Sequence, residues 1–115
     1  FAILGVDVVK EYRFAPPRGW RFDYCLLPPL KIALEYQGLN FTGGTSRHQT
    51  LTGISADAEK FSQAAIDGWC LILATAITVD KGITHIQVKD AIESRQKLVM
   101  LQAVGRRYRL TSENL

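Results

Sequence analysis

The sequence predicts an α/β fold, in which a mixed central β-sheet is flanked by helices. Two proline pairs divide the N-terminal part of the chain into three short segments, residues 8–14, 18–26 and 30–37. Proline cannot donate a backbone hydrogen bond, so each pair ends regular structure. Three strands this close together are predicted to form an antiparallel meander.

A helix is predicted to follow the meander. Residues 39–52 show neither a strand period nor a helix period and are predicted as a loop. From about Ser55 the pattern becomes helical, and one face collects apolar residues: Ile54, Ala58, Phe61 and Ala65. Gly68 is predicted to end this helix, in the position where a left-handed residue is common.

The C-terminal part of the chain supplies the third observation behind the predicted fold. The near-continuous apolar run 69–76 predicts a strand that is buried on both faces beside a helix. Apolar positions over residues 86–103 predict a second helix. The basic tail from about residue 104 to 115 is expected to be mobile.

Length and composition describe an ordinary globular domain. The 115 residues fit a single domain over residues 1–115, and the first residue, Phe1, leaves open whether further chain precedes it. The formal net charge of +3 permits nucleic-acid binding without requiring it. Cys25 and Cys70 are predicted to be free buried thiols, because no Cys or His spacing typical of a zinc site surrounds them.

The sequence predicts a soluble, cytoplasmic protein. No stretch reaches the roughly 18 to 20 apolar residues that a membrane span needs. The N-terminus lacks the basic, apolar and small-residue pattern of a secretory leader.

Two acids stand out, since each lies inside a short and otherwise apolar strand: Asp23 in the second strand and Glu35 in the third. Side chains alternate between the two faces of a strand. In the third strand Glu35 and Gln37 therefore share a face. In the second strand Asp23 and Trp20 are predicted on opposite faces. If the two strands are neighbours, Asp23 and Glu35 can point into one site. Converging carboxylates repel unless a cation neutralises them, and Mg²⁺ prefers such oxygen ligands.

These residues resemble the PD-(D/E)XK nuclease superfamily, and more closely its small phage-associated and very-short-patch-repair-like members. The resemblance rests on Arg21-Phe22-Asp23 followed by Glu35-x-Gln37-Gly38. It continues through Gly43 to His48, through Asp57 to Lys60 and at Gly68-Trp69, and so covers roughly residues 11–75.

The resemblance implies a restriction-endonuclease-like fold and a Mg²⁺-dependent endonuclease that hydrolyses DNA, with Mn²⁺ as a substitute ion. Asp23 and Glu35 are then the metal ligands. The family usually carries a lysine two residues after the acid of the third strand, where this chain has Gln37. Gln37 and Lys60 are therefore both candidates for the catalytic role of that lysine.

Further residues are candidates for secondary roles. Arg21, Arg47, His48 and Lys60 are candidate contacts to DNA, and Glu11 in the first strand is a possible additional acid. A homodimer that cuts both strands is also possible. Two alternatives stay open: a catalytically inactive nuclease fold that serves as a DNA-binding or assembly module, and a plain interaction domain whose acids face solvent.

Overall fold

The computed structural model describes residues 6–38 and 51–113, and shows an α/β fold with one four-stranded mixed sheet. The strands are β1 (Val9–Arg13), β2 (Arg21–Leu26), β3 (Ile32–Tyr36) and β4 (Cys70–Ala74). The helices are α1 (Leu51–Ile66), α2 (Ala76–Asp80) and α3 (Ile83–Glu113).

The strands lie in the sheet in their chain order. β1, β2 and β3 pair antiparallel, as the proline-bounded segments predict, and β4 pairs with β3 in parallel. Parallel neighbours require a crossover connection, and α1 lies within it. The predicted meander and the mixed sheet are thus confirmed.

Two clusters of buried side chains make up the core. The cluster that includes α1 is rich in aromatic and small residues: Phe22, Cys25, Ala33, Ala64 and Trp69. The cluster that includes α3 is aliphatic: Leu26, Ile32, Ile72, Val88 and Ile92. Burial raises the pKa of the Cys25 thiol to about 11, so Cys25 behaves as a small apolar core residue. Cys70 is also a free thiol and is partly buried.

Helix α1 differs from its prediction in start and in orientation. It begins at Leu51, so the predicted loop cannot extend to Thr52. The residues it buries are Gly53 and Ala64, whereas Ile54 of the predicted apolar stripe is 52% exposed. The stripe prediction is wrong, because a hydropathy pattern does not register that the sheet under α1 offers a polar site as well as an apolar surface.

The C-terminal end of α1 is fixed by several hydrogen bonds. Gly68 has φ +88°, as predicted, and its N–H donates to Ala65 O while the N–H of Trp69 donates to Ala64 O. This is the Schellman pattern, which satisfies carbonyls that the helix end leaves free. Two side chains from elsewhere in the fold add to it, because Lys31, just before β3, donates to Asp67 O and Arg95 of α3 donates to Gly68 O.

The region after β4 also departs from the prediction. The strand ends at Ala74 because Thr75 caps the unpredicted helix α2, and its hydroxyl accepts from Thr78 N–H while Thr78 Oγ1 accepts from Thr75 N–H. Leu73 is 46% exposed, so β4 is not buried on both faces.

Helix α3 is longer than the predicted helix over residues 86–103. It spans 31 residues and includes the basic positions Arg106 and Arg107 that were expected to belong to a mobile tail. Over residues 83–107, whose burial the structure describes, the buried side chains of α3 are Thr84, Val88 and Ile92, and all three lie in its N-terminal half. Neither α3 nor any other described helix is long and apolar enough to cross a membrane.

Candidate active site

Asp23 and Glu35 lie together at the point where β2 and β3 stop pairing. Tyr24 and Leu34 form the last backbone pair, and one further step in that register places Asp23 opposite Glu35. There the Asp23 carboxylate accepts a hydrogen bond of 2.8 Å from the N–H of Tyr36. Asp23 is also close enough to Glu35 to share a side-chain hydrogen bond with it. The structure therefore brings the two predicted acids into one site.

Lys60 reaches this site from α1. Its ammonium group forms an ion pair with Glu35 Oε1 and donates a 2.6 Å hydrogen bond to the backbone oxygen of Arg21. The side chains of Lys60 and Glu35 are only 16% and 7% exposed. The pair is therefore largely shielded from solvent, and the attraction within it is stronger than that of a surface pair.

Burial controls the protonation of Glu35. Loss of solvation, with a smaller contribution from the nearby Asp23 carboxylate, raises the pKa of Glu35 to about 7, although the Lys60 ammonium acts in the opposite direction. Charged and protonated forms of Glu35 thus coexist near neutral pH. A carboxyl poised in this way changes its charge readily when a cation or a substrate enters.

Asp23, Glu35 and Lys60 line an open cleft of ≈ 490 Å³ between α1 and the start of β2. The cleft wall also contains Gly19, Trp20, Arg21, Tyr36, Ala56 and Asp57. Trp20 and Asp23, which the strand alternation predicts on opposite faces, both line this cleft. Trp20 precedes the first residue of β2, so the alternation of the strand does not fix its direction.

Trp20 is the cleft end of a column of aromatic rings. Phe22 packs edge-on against Trp69, with 4.9 Å between ring centroids, and stacks on Phe14 at 4.1 Å. Phe14 in turn stacks on Trp20 at 6.1 Å and an interplanar angle of 17°. Arg18 lies over the Trp20 ring at 4.5 Å and forms an ion pair with Glu59 of α1.

This aromatic column was not predicted, although the sequence contains a signal for it. In the β1–β2 register, Tyr12 pairs with Phe22, and Arg13 pairs with Arg21. One further step in this register places Phe14 opposite Trp20. Aromatic residues directly across an antiparallel pair are expected to contact each other.

The other predicted site residues are less central. Arg21 is exposed at the cleft rim. Gln37 is partly buried and uses its N–H to bond Ala74 O, and it is not among the residues that line the cleft. Arg47 and His48 lie outside the described residues.

Glu11 lies across from Asp23 in the β1–β2 register, with φ +53° and an exposed side chain. Glu11 and Asp23 both line an open pocket next to α2 and α3. Among the side chains that the structure describes, no group of three or more His, Cys, Asp or Glu could hold a metal ion. A role for Glu11 as an additional acid stays a prediction.

The oxygen atoms around the Lys60 ammonium are suited to a divalent cation. Glu35 Oε1 and Arg21 O contact that ammonium, and the Asp23 carboxylate adjoins Glu35. A set of one or two carboxylates with few other protein ligands suits Mg²⁺, which keeps several of its waters. The residues fit such an ion, provided that Lys60 gives up or shares its contact with Glu35.

The two acids, Lys60 and Trp20 thus form one cleft on the α1 side of a mixed sheet. Comparison of the chain with protein-family models, with curated proteins and with solved structures gives no match.

Proposed function

We propose that the chain is a metal-dependent endonuclease that hydrolyses phosphodiester bonds in DNA. The observation that carries the proposal is the contact between the Asp23–Glu35 pair and Lys60 inside one open cleft. A buried carboxylate is costly unless a partner compensates its charge. Here the Lys60 ammonium of α1 is that partner, and the cleft leaves solvent-accessible space next to the two acids.

Asp23 and Glu35 would hold Mg²⁺, or Mn²⁺ in its place. The bound ion would supply a more acidic water and neutralise charge on the phosphate. The protein's own part is to keep the two carboxylates in place. The Tyr36 N–H fixes one oxygen of Asp23, and the Lys60 ammonium orients Glu35.

Lys60 is the best candidate for the positive charge that stabilises the phosphoryl-transfer transition state. Its ammonium is already in the cleft and is largely shielded from solvent, where charge stabilisation is most effective. Gln37 is less suited to this role, since an amide carries no charge and Gln37 is not part of the cleft wall.

Recognition of DNA is expected to depend on its backbone and shape. The cleft is small, and Arg21 at its rim is an exposed cation that can contact a phosphate. Backbone contacts position a protein on DNA but carry no direct sequence information. This favours structure-selective cleavage over sequence-specific cleavage, and a second copy of the chain could serve the second strand of a duplex.

One observation favours a second candidate, a catalytically inactive nuclease fold that binds DNA or takes part in an assembly. Lys60 already neutralises Glu35 without an added ion. A permanent Glu35–Lys60 pair would act as a structural element, and the cleft would then bind a DNA backbone without cutting it.

The decisive experiment measures cleavage of linear, nicked and branched DNA with Mg²⁺ and with Mn²⁺. We expect cleavage by the wild type and loss of it in Glu35→Ala. Asp90→Asn, an exposed acid on α3, is the matched control. Binding of DNA without cleavage by any of these proteins would support the inactive module. Equal cleavage by wild type and Glu35→Ala would remove the proposed mechanism.

A further inference from the structure

We propose that the guanidinium plane of Arg18, supported by Trp20, is a stacking platform for an unpaired nucleobase at the edge of the cleft. The inference rests on the proposed DNA-binding function and adds the substrate class, a DNA strand with at least one unpaired base. It follows from the aromatic column, which the metal-ligand geometry leaves without a role.

The column is anchored in the core and ends at the surface. Trp69 is 7% exposed and Phe22 is fully buried, whereas Trp20 is partly exposed and lines the cleft. Phe14 links the two ends through nearly parallel ring stacking. An aromatic side chain held in this way loses little conformational freedom when a further ring is added to the stack.

Arg18 forms the outermost layer of the column. Its guanidinium lies 4.5 Å from the Trp20 ring centroid, and the Arg18 side chain is 59% exposed. Glu59 binds the guanidinium from α1 and holds its orientation. Nucleobases stack on arginine planes as well as on aromatic rings, so this exposed layer is complementary to a base.

The platform lies next to the cleft that contains the two acids. Trp20 and Arg21 are adjacent in the chain, and both line the same cleft as Asp23, Glu35 and Lys60. A base stacked on Arg18 would bring its own backbone toward the cleft. The bases of an intact duplex are stacked on each other and offer no free face, which favours single strands, flaps and frayed ends.

The test compares binding of a labelled single strand of about 12 nucleotides with binding of a blunt duplex, by fluorescence anisotropy in EDTA. Arg18→Lys is the central variant, because it keeps the charge and the opportunity to pair with Glu59 but removes the plane. We expect it to weaken single-strand binding about 5- to 30-fold and duplex binding less than about twofold, given typical stacking strengths.

A second variant tests the support beneath Arg18. Trp20→Phe keeps a ring in the column and should retain most of the single-strand affinity, whereas Trp20→Ala should lose it to the same extent as Arg18→Lys. Circular dichroism checks that each variant is folded. Leu101→Ala on the exposed part of α3 is the control and should bind like the wild type.

Two outcomes would overturn the inference: unchanged single-strand binding in Arg18→Lys, or an equal loss on both probes. The result is separable from the proposed function, because no metal is present in the binding assay. Cleavage of duplex DNA that is insensitive to Arg18 would leave the endonuclease standing without the platform. Arg18-dependent single-strand binding without cleavage would leave the platform and remove the enzyme.

Discussion

The two sides of the sheet are built from different chemistry. Where α3 packs, the core is aliphatic and includes Val88 and Ile92. Where α1 packs, the core is aromatic, and beside it lies the open cleft with Glu35 and Lys60. The same sheet thus has an aliphatic core on one side and an aromatic core with shielded charges on the other.

The difference indicates that the residues that stabilise the fold and the residues with candidate chemical roles lie largely on different sides of the sheet. The N-terminal half of α3 buries branched aliphatic residues, which need no partner beyond close packing. The face of α1 toward the sheet instead contains Gly53, Ala64 and the partly buried Lys60. We therefore expect variants on the α3 side to change unfolding, and variants on the α1 side to change ion and DNA chemistry.

The largest effect is expected from Glu35→Gln. Removing one carboxylate from the proposed ion site should lower Mg²⁺-dependent cleavage at least about a hundredfold, since a preorganised charge is lost from the reacting centre. The measurement is single-turnover cleavage of a nicked substrate. Glu93→Gln, an exposed change on α3, should cleave like the wild type. A similar loss in both variants would contradict the assignment.

The opposite pattern is expected from Ile92→Ala. Ile92 is 6% exposed in the aliphatic cluster, so truncation should lower the free energy of unfolding by about 2 to 4 kcal/mol. Urea denaturation measures this change. Binding of Mn²⁺ to the folded variant should stay within about twofold of the wild type, because Ile92 is outside the cleft. Loss of ion affinity in a folded Ile92→Ala protein would break the separation of the two sides.

Glu35 also predicts a pH dependence of stability. Without divalent ions, folded Glu35 keeps its proton up to a pKa of about 7, while the unfolded chain releases it near the ordinary value of 4.5. Unfolding then releases a proton between these values, so the free energy of unfolding falls as pH rises through this window, by about 3 kcal/mol at most.

Urea denaturation from pH 4 to pH 8 measures that slope, and Glu35→Gln should flatten it relative to the wild type. An identical slope in the two proteins would show that Glu35 titrates like a solvated carboxyl.

A smaller effect is expected for Lys60→Met on ion binding. The ammonium competes with a divalent cation for Glu35, so its removal should tighten Mn²⁺ binding at least about fivefold, since even an exposed ion pair is worth up to about 1 kcal/mol and this pair is largely shielded from solvent. Titration calorimetry above pH 8, in two buffers of different ionisation enthalpy, measures the affinity together with any proton that Glu35 releases, because the variant lacks the ammonium that lowers the pKa of Glu35.

Cleavage by Lys60→Met should fall in the same conditions, because the charge near the phosphate is lost. Lys89→Met, an exposed change on α3, is the control. Weaker Mn²⁺ binding in Lys60→Met would mean that Lys60 holds Glu35 in place for the ion and does not compete with it.

The smallest effect is expected from Gln37→Ala. Its backbone N–H bonds Ala74 O in any variant, and its side chain does not line the cleft. Cleavage should change by less than about threefold, an effect typical of groups outside the reacting centre. A loss comparable with that of Glu35→Gln would instead assign Gln37 the role that we give to Lys60.

The sheet order of the first three strands and the proximity of the two acids could be predicted from the sequence. Proline pairs fix the ends of the first three strands, and one register then determines which positions meet. Asp23 and Glu35 converge for that reason. This information is local, since it depends on the alternation within strands and on short connections.

The helices were harder, because their orientation depends on the surface they meet. Ile54 and Ala58 give α1 an apolar stripe, yet both are exposed, and the side with Gly53 and Ala64 packs against the sheet. Helix α3 continues past Ala103, where the predicted helix ends, and includes Gly105. A glycine in an exposed helix costs only about 1 kcal/mol relative to alanine, too little to end a helix.

Asp23 also has a structural role, which limits the substitutions that position 23 can accept during evolution. Its carboxylate is the acceptor for the N–H of Tyr36, just beyond the last pair of β2 and β3. The amide oxygen of asparagine could accept the same bond, whereas alanine could not. A lineage that gave up catalysis would therefore be expected to drift at Glu35 and Lys60 first, and to keep an aspartate or an asparagine at position 23.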